Sequence, residues 1–156
     1  MIDSFANFWT GVRDALWHRQ GRRQVAALCW RRRDNQTQVL LITSRGSGRW
    51  IVPKGWPVPG QSDARSALTE AWEEAGVRAD GEVGKPLGSF LYFKTAGPRG
   101  RHRLPAAIET TVYPIEVASL ADHYPEAGQR RRQWVTPDKA ATMIEEPGLR
   151  ALLKEI

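Results

Sequence analysis

A near-continuous apolar run at Val25–Trp30 predicts a short strand buried on both faces, and Val39–Thr43 predicts a second strand that returns beside it. Arg31–Asn35 reads as the turn between them, with Arg31 to Arg33 as solvated surface. Trp50–Val52 predicts a brief third strand, and β-forming residues predict others at Leu87–Lys94, Ala107–Val117 and Gln133–Val135. Pro114, inside the longest of these, points to an edge or a bulge. Helical spacing marks the ends of the chain. Phe5, Phe8, Trp9, Val12 and Leu16 share one face between Ile2 and Arg19. Residues 1–20 are therefore expected to form an amphipathic helical extension, packed on the domain or against a second copy, and residues 21–156 the domain itself. Thr136-Pro137-Asp138 supplies a cap and a first-turn proline for a helix to about Glu145. Pro147-Gly148 interrupts it, and Leu149, Leu152, Leu153 and Ile156 make a last apolar turn or two.

The central stretch stands apart from this pattern. Pro53 to Gly60 holds three prolines and two glycines and predicts a loop. Ser62 or Asp63 can cap a helix over Ala64–Ala75, which Gly76 stops in the left-handed region. At roughly 100° per residue, Ala64, Leu68, Ala71, Trp72 and Ala75 share one face, and Glu70, Glu73 and Glu74 fall on the other. Like charges at these spacings cost an isolated helix about 0.2–0.5 kcal/mol per pair. Such a face is either solvated or suited to a hard divalent cation. The adjoining loop favours the second reading, because it brings backbone groups that a cation and a phosphate chain could share.

Composition narrows the partners. A 156-residue chain with 41% hydrophobic residues suits one compact domain. No apolar run approaches the roughly 18 residues of a membrane span, and no apolar signal core is seen at the N-terminus. The single cysteine, Cys29, excludes an internal disulfide framework, so a cytoplasmic protein without a membrane partner is the simplest expectation. The formal charge of +6 is dominated by arginine, whose planar fork suits phosphate. Nucleic acid and a small polyphosphate are both candidates on charge alone.

Gly55, Glu70, Glu73, Glu74, Gly76 and Val77, at these offsets, resemble the signature of the Nudix hydrolases. Gln61 and Thr69 depart from it, standing where the family carries a structural Glu–Arg pair, and Ala71 is smaller than the usual aliphatic. The resemblance implies an α/β fold of the Nudix type, a mixed β-sheet between helices in an α/β/α arrangement. It also implies hydrolysis of a phosphoanhydride with Mg²⁺, for which Mn²⁺ could substitute. Glu70, Glu74 and the backbone carbonyl of Lys54 match the family's metal ligands, and Glu73 its proton acceptor. Glu109 is a further candidate ligand, with a solvated strand glutamate as the plainer reading.

Outside the signature, Arg49–Pro53, Arg101–Arg103 and Arg131–Trp134 are similar to the diphosphoinositol polyphosphate and diadenosine polyphosphate hydrolases. That subfamily implies phosphate contacts at Arg22, Arg23, Ser44, Arg45, Lys54, Arg101, His102 and Arg131. The expected partner is a small polyphosphate; nucleic acid enters only as RNA ends. The alternatives are hydrolysis of ADP-ribose or a nucleotide sugar, removal of pyrophosphate from RNA ends, and a Nudix-like module that binds polyphosphate without cleaving it.

Overall fold

The computed structural model describes residues 23–94 and 106–156. The expected helical extension at 1–20, together with Arg22, Arg101 and His102, lies outside the described residues. Eight strands and three helices follow in order: β1 (Arg23–Arg33), β2 (Gln36–Thr43), β3 (Trp50–Ile51), β4 (Lys54–Gly55), α1 (Asp63–Ala75), β5 (Val77–Ala79), β6 (Gly88–Lys94), β7 (Ala106–Leu120), β8 (Arg132–Val135), α2 (Pro137–Met143) and α3 (Pro147–Leu153). No described helix is long and apolar enough to cross a membrane.

The strands form one mixed sheet. Its path runs β3-β2-β1-β7-β5, with β4 also on β1, β6 on β7 and β8 on β2. β1 and β7 pair in parallel from Arg23↔Glu109 to Trp30↔Glu116, and the other pairings are antiparallel. Alternation along β1 feeds two cores. Val25, Ala27 and Cys29 join Ile42, Ala67, Ala71, Ala75 and Ile115 on the α1 side. Ala26 and Leu28 join Leu41, Phe90, Val112, Leu149 and Leu153 on the α2–α3 side. A strand buried on both faces needs no polar alternation, which explains the continuous run in the sequence.

Two expectations need correction and a third takes a particular form. The first hairpin turns at Asp34-Asn35, whose φ angles of 52° and 60° suit a tight two-residue turn. Arg31 to Arg33 consequently belong to β1, where Arg31 donates to Gln38 Oε1 at 2.9 Å and covers the Trp134 ring at 4.0 Å. The Pro53–Gly60 loop contains β4, because Lys54-Gly55 reaches β1 at Ala26 and Val25. Pro114 lies inside β7, opposite Leu28 of β1, and the expected edge is a local one, on the side of β7 away from β1. Its backbone points the same way as that of Val112 and Glu116, whose carbonyls accept from Leu87 and Asp80. On that side β6 ends its pairing at Val112 and β5 begins at Val117, so the missing N–H removes no ladder bond.

Candidate active site

Helix α1 carries the site, and its ends fix the register. Ser62 Oγ accepts from the Arg65 N–H at 3.2 Å, and Gly76, at φ 67°, returns its N–H to Ala71 and Trp72. Arg132 Nη1 donates to the Ala75 carbonyl at 2.9 Å, placing a cation at the C-terminal end of the helix dipole. Val58 N–H donates to Ser66 Oγ at 2.9 Å and ties the preceding loop to the helix.

The glutamates are not a solvent face opposite the apolar one. Glu70 is 2% exposed and Glu74 8%, and they share the buried side of α1 with Ser66, Ala67, Ala71 and Ala75. Trp72 stands at the margin, with the Arg78 guanidinium 5.9 Å above its ring. β4 explains the burial. A Cβ added to Gly55 would lie 2.2 Å from Glu70 Oε1, so only glycine lets the backbone approach this carboxylate. Glu74 Oε2 accepts from the Lys54 N–H at 3.3 Å, and Oε1 from Arg130 Nη2 at 3.2 Å. Glu73 is half-buried, and its carbonyl accepts from the Glu126 N–H at 3.0 Å.

Burial pushes the Glu74 carboxyl from an ordinary 4.5 up to about 7; Arg130 opposes the rise, Glu126 adds to it and Lys54 opposes it. Between those values the folded chain keeps a proton that the unfolded chain has lost. This group's stabilisation is therefore full below pH 4.5 and is lost as pH rises through about 7. In chelator, Tm should fall on the order of 5 °C from about pH 5 to about pH 8, and Mg²⁺ should restore part of it at the upper end. Glu74→Gln should flatten the profile; an equally steep one would remove Glu74 as its source.

These residues fit a hard divalent cation. Two buried carboxylates one turn apart flank a backbone too close for a Cβ, and Glu74 resists ionisation there without a cationic partner beyond Arg130 and Lys54. Among the described residues no three His, Cys, Asp or Glu side chains cluster to hold an ion alone. A sparse donor set completed by water and phosphate oxygens is ordinary for Mg²⁺.

The basic residues divide into two places. Thr43 N–H donates to the Arg131 carbonyl at 3.1 Å, and Arg131 N–H to Thr43 Oγ1 at 2.9 Å. That pairing brings the Ser44–Arg45 loop to the Arg131 backbone, and Arg45 reaches toward α1 through Glu126, whose N–H donates to the Glu73 carbonyl. Ser44 Oγ accepts from Arg49 N–H at 3.2 Å and lies 2.6 Å from Ser47 Oγ, which shapes the loop. Arg45 Nη1 reaches Glu126 Oε1 at 3.0 Å and Gln129 Oε1 at 3.2 Å. Arg131 is exposed, with its guanidinium 5.1 Å from the Trp50 ring centre. The Lys54 ammonium sits 5.3 Å over Tyr92, and burial lowers its pKa. Arg23 stands apart, bonded through both nitrogens to Asp63 at the start of α1. Eleven residues of helix, about 16 Å, separate Asp63 from Glu74. Glu109 is exposed on β7, level with Arg23 on β1 and Leu91 on β6.

Arg130 was missed by sequence reasoning. Its side chain is 6% exposed and donates to the Thr43 carbonyl at 3.0 Å as well as to Glu74. The only signal was its place in the run Arg130-Arg131-Arg132. A cavity of about 750 Å³ runs along β6 and the start of α3, between Phe90, Tyr92 and Phe93 on one side and Arg49 and Glu146 on another.

At the two departures from the signature, Thr69 Oγ1 lies 3.2 Å from Gln61 Oε1 and 3.1 Å from the Arg65 carbonyl. A neutral hydrogen bond thus joins the positions where an ion pair is usual. Gln61→Glu with Thr69→Arg should change kcat/KM less than either single substitution, with a coupling of about 0.5–1 kcal/mol. Equal effects in the singles and the double would remove the pairing.

Comparison with known proteins agrees with this geometry. The NUDIX domain family model matches residues 22–155. The chain belongs to the Nudix family and is a hydrolase acting on phosphoanhydrides. It is 29% identical over 126 residues to human diphosphoinositol polyphosphate phosphohydrolase 3-alpha, covering 80% of this chain and 70% of that protein. A C. elegans Ap4A hydrolase binary complex superposes with TM-score 0.61 at 17% identity, over 85% of this chain and 93% of that one. The NUDIX domain of Shewanella oneidensis NrtR, complexed with ADP ribose, superposes with TM-score 0.63 at 16% identity, over 86% and 87%. These two likenesses concern the fold.

Proposed function

We propose that this Nudix hydrolase cleaves a highly phosphorylated small molecule, a diadenosine polyphosphate or a diphosphoinositol polyphosphate, with Mg²⁺ as cofactor. The observation that supports this reading is the Thr43–Arg131 pairing, which brings the Ser44–Arg45 loop to Arg131, next in the chain to the Arg130 that bonds Glu74. The name of the human relative supports the substrate class. The cavity along β6 is of a size to take the non-phosphate part of such a molecule.

Glu70, Glu74 and the Lys54 carbonyl would hold the cation, which when bound neutralises phosphate oxygens and lowers the pKa of water. Glu73 takes the proton from the attacking water as its oxygen bonds to phosphorus. The anhydride P–O bond breaks, and its electron pair leaves on the departing phosphate. Arg45, Arg131 and Lys54 hold the flanking phosphates by charge, and Ser44 donates a hydrogen bond. Arg22, Arg23, Arg101 and His102 remain in the proposal as contacts to the outer phosphates.

Charge-assisted contacts of this kind are worth about 1.5–3 kcal/mol each. Arg45→Ala and Arg131→Ala should therefore each lower kcat/KM for diadenosine hexaphosphate at least about tenfold, and for ADP-ribose less. High salt should narrow the gap. Equal penalties on both substrates would contradict the assignment of these arginines to a long phosphate chain.

A further inference from the structure

Arg45 and Arg130 meet on one carboxylate. Arg45 Nη1 lies 3.0 Å and Arg130 Nη2 3.5 Å from the same oxygen, Glu126 Oε1. From there the chain of charges runs inward, since Arg130 Nη2 also donates to Glu74 Oε1 at 3.2 Å. The two arginines differ in freedom. Arg45 has 61% of its side chain exposed and, among the described residues, is held by the Glu126 and Gln129 side chains, whereas Arg130 is enclosed and pinned to the Thr43 carbonyl. Arg130 Nε is buried and meets no acceptor among the described residues, so its position is set by the bonds its other nitrogens make. The Glu126 N–H, bonded to the Glu73 carbonyl at 3.0 Å, anchors the shared carboxylate to α1 itself.

We propose that Glu126 is a positioning residue that couples phosphate binding to the metal-helix carboxylates. It restrains Arg45 in the absence of substrate and holds Arg130 against Glu74. A phosphate group that draws Arg45 outward leaves Glu126 to Arg130 alone, and the Arg130 guanidinium, anchored at the Thr43 carbonyl and Glu126, keeps its place beside Glu74 when substrate is bound. The same carboxylate therefore opposes phosphate affinity and supports turnover. This inference rests on the proposed role of Arg45 in phosphate binding.

Glu126→Gln keeps the shape and removes the charge. The account predicts opposite changes in affinity and turnover, which loss of packing would not give. Tripolyphosphate, measured by calorimetry, should bind about tenfold tighter to Glu126→Gln than to the unchanged protein, while kcat falls about tenfold. The gain in binding should vanish when Arg45→Ala is added. The fall in kcat should not add to that of Arg130→Gln, because both act through Glu74. Should Glu126→Gln fail to fold, Gln129→Ala, which removes the other partner of Arg45, should also tighten tripolyphosphate binding. If Arg45→Ala alone weakens tripolyphosphate binding but neither Glu126→Gln nor Gln129→Ala tightens it, the coupling is wrong and the proposed function stands. If Arg45→Ala leaves tripolyphosphate binding unchanged, the phosphate role of Arg45 fails and takes the coupling with it.

Discussion

Glu73→Gln should lower turnover by about 10²–10⁴-fold and leave the fold intact, the usual cost of losing one acid–base group. Glutamine matches the side chain in shape but cannot take up a proton. Glu73 is half-buried and lies outside the apolar core clusters, so an isosteric substitution leaves those clusters untouched. The neighbouring carboxylates predict a different signature. Glu74→Gln removes a proposed ligand, and its main effect should be a raised Mg²⁺ requirement. Turnover near normal in a folded Glu73→Gln variant would exclude Glu73 as the base.

Gly55→Ala should be almost as damaging, at the opposite side of the same site. The new methyl would sit 2.2 Å from Glu70 Oε1 and 2.3 Å from its carboxyl carbon. Because these atoms end a flexible side chain, the carboxylate can move aside and the fold should survive. What cannot survive is its position, since Glu70 is 2% exposed and enclosed between α1 and β4. Misplacing a positioned group by about 1 Å can cost about 10²-fold in rate. The expected result is a loss of that order in kcat/KM with Tm lowered by only a few degrees. A fully active Gly55→Ala protein would mean that the carboxylate of Glu70 has no fixed place in the chemistry.

Much of α1 was legible in the chain because its determinants are local. Ser62, the 3.6-residue periodicity and Gly76 each act within a few residues, and the structure ends the helix where they indicate. The burial of Glu70 and Glu74 was not legible. A helical wheel gives the angle between side chains but not what covers them, and the cover comes from β4, whose pairing with β1 joins positions far apart in sequence. The same holds for the arginines. Sequence places Arg130, Arg131 and Arg132 side by side, yet one turns to Glu74, the next to Trp50 and the third to the end of α1. Their directions follow from the register of β8 on β2, set by Arg132↔Ile42 and the Thr43–Arg131 bonds. Arg23 shows the converse. It opens β1, two residues ahead of the predicted strand, but its charge is met by Asp63, a partnership between residues 40 apart in sequence.

The most direct test of the account is a substrate panel on the unchanged protein with Mg²⁺, with products identified by mass spectrometry. Diadenosine penta- or hexaphosphate, or a diphosphoinositol polyphosphate, should exceed ADP-ribose in kcat/KM by at least about tenfold. A preference for ADP-ribose would contradict the proposed substrate class and leave the Nudix chemistry in place.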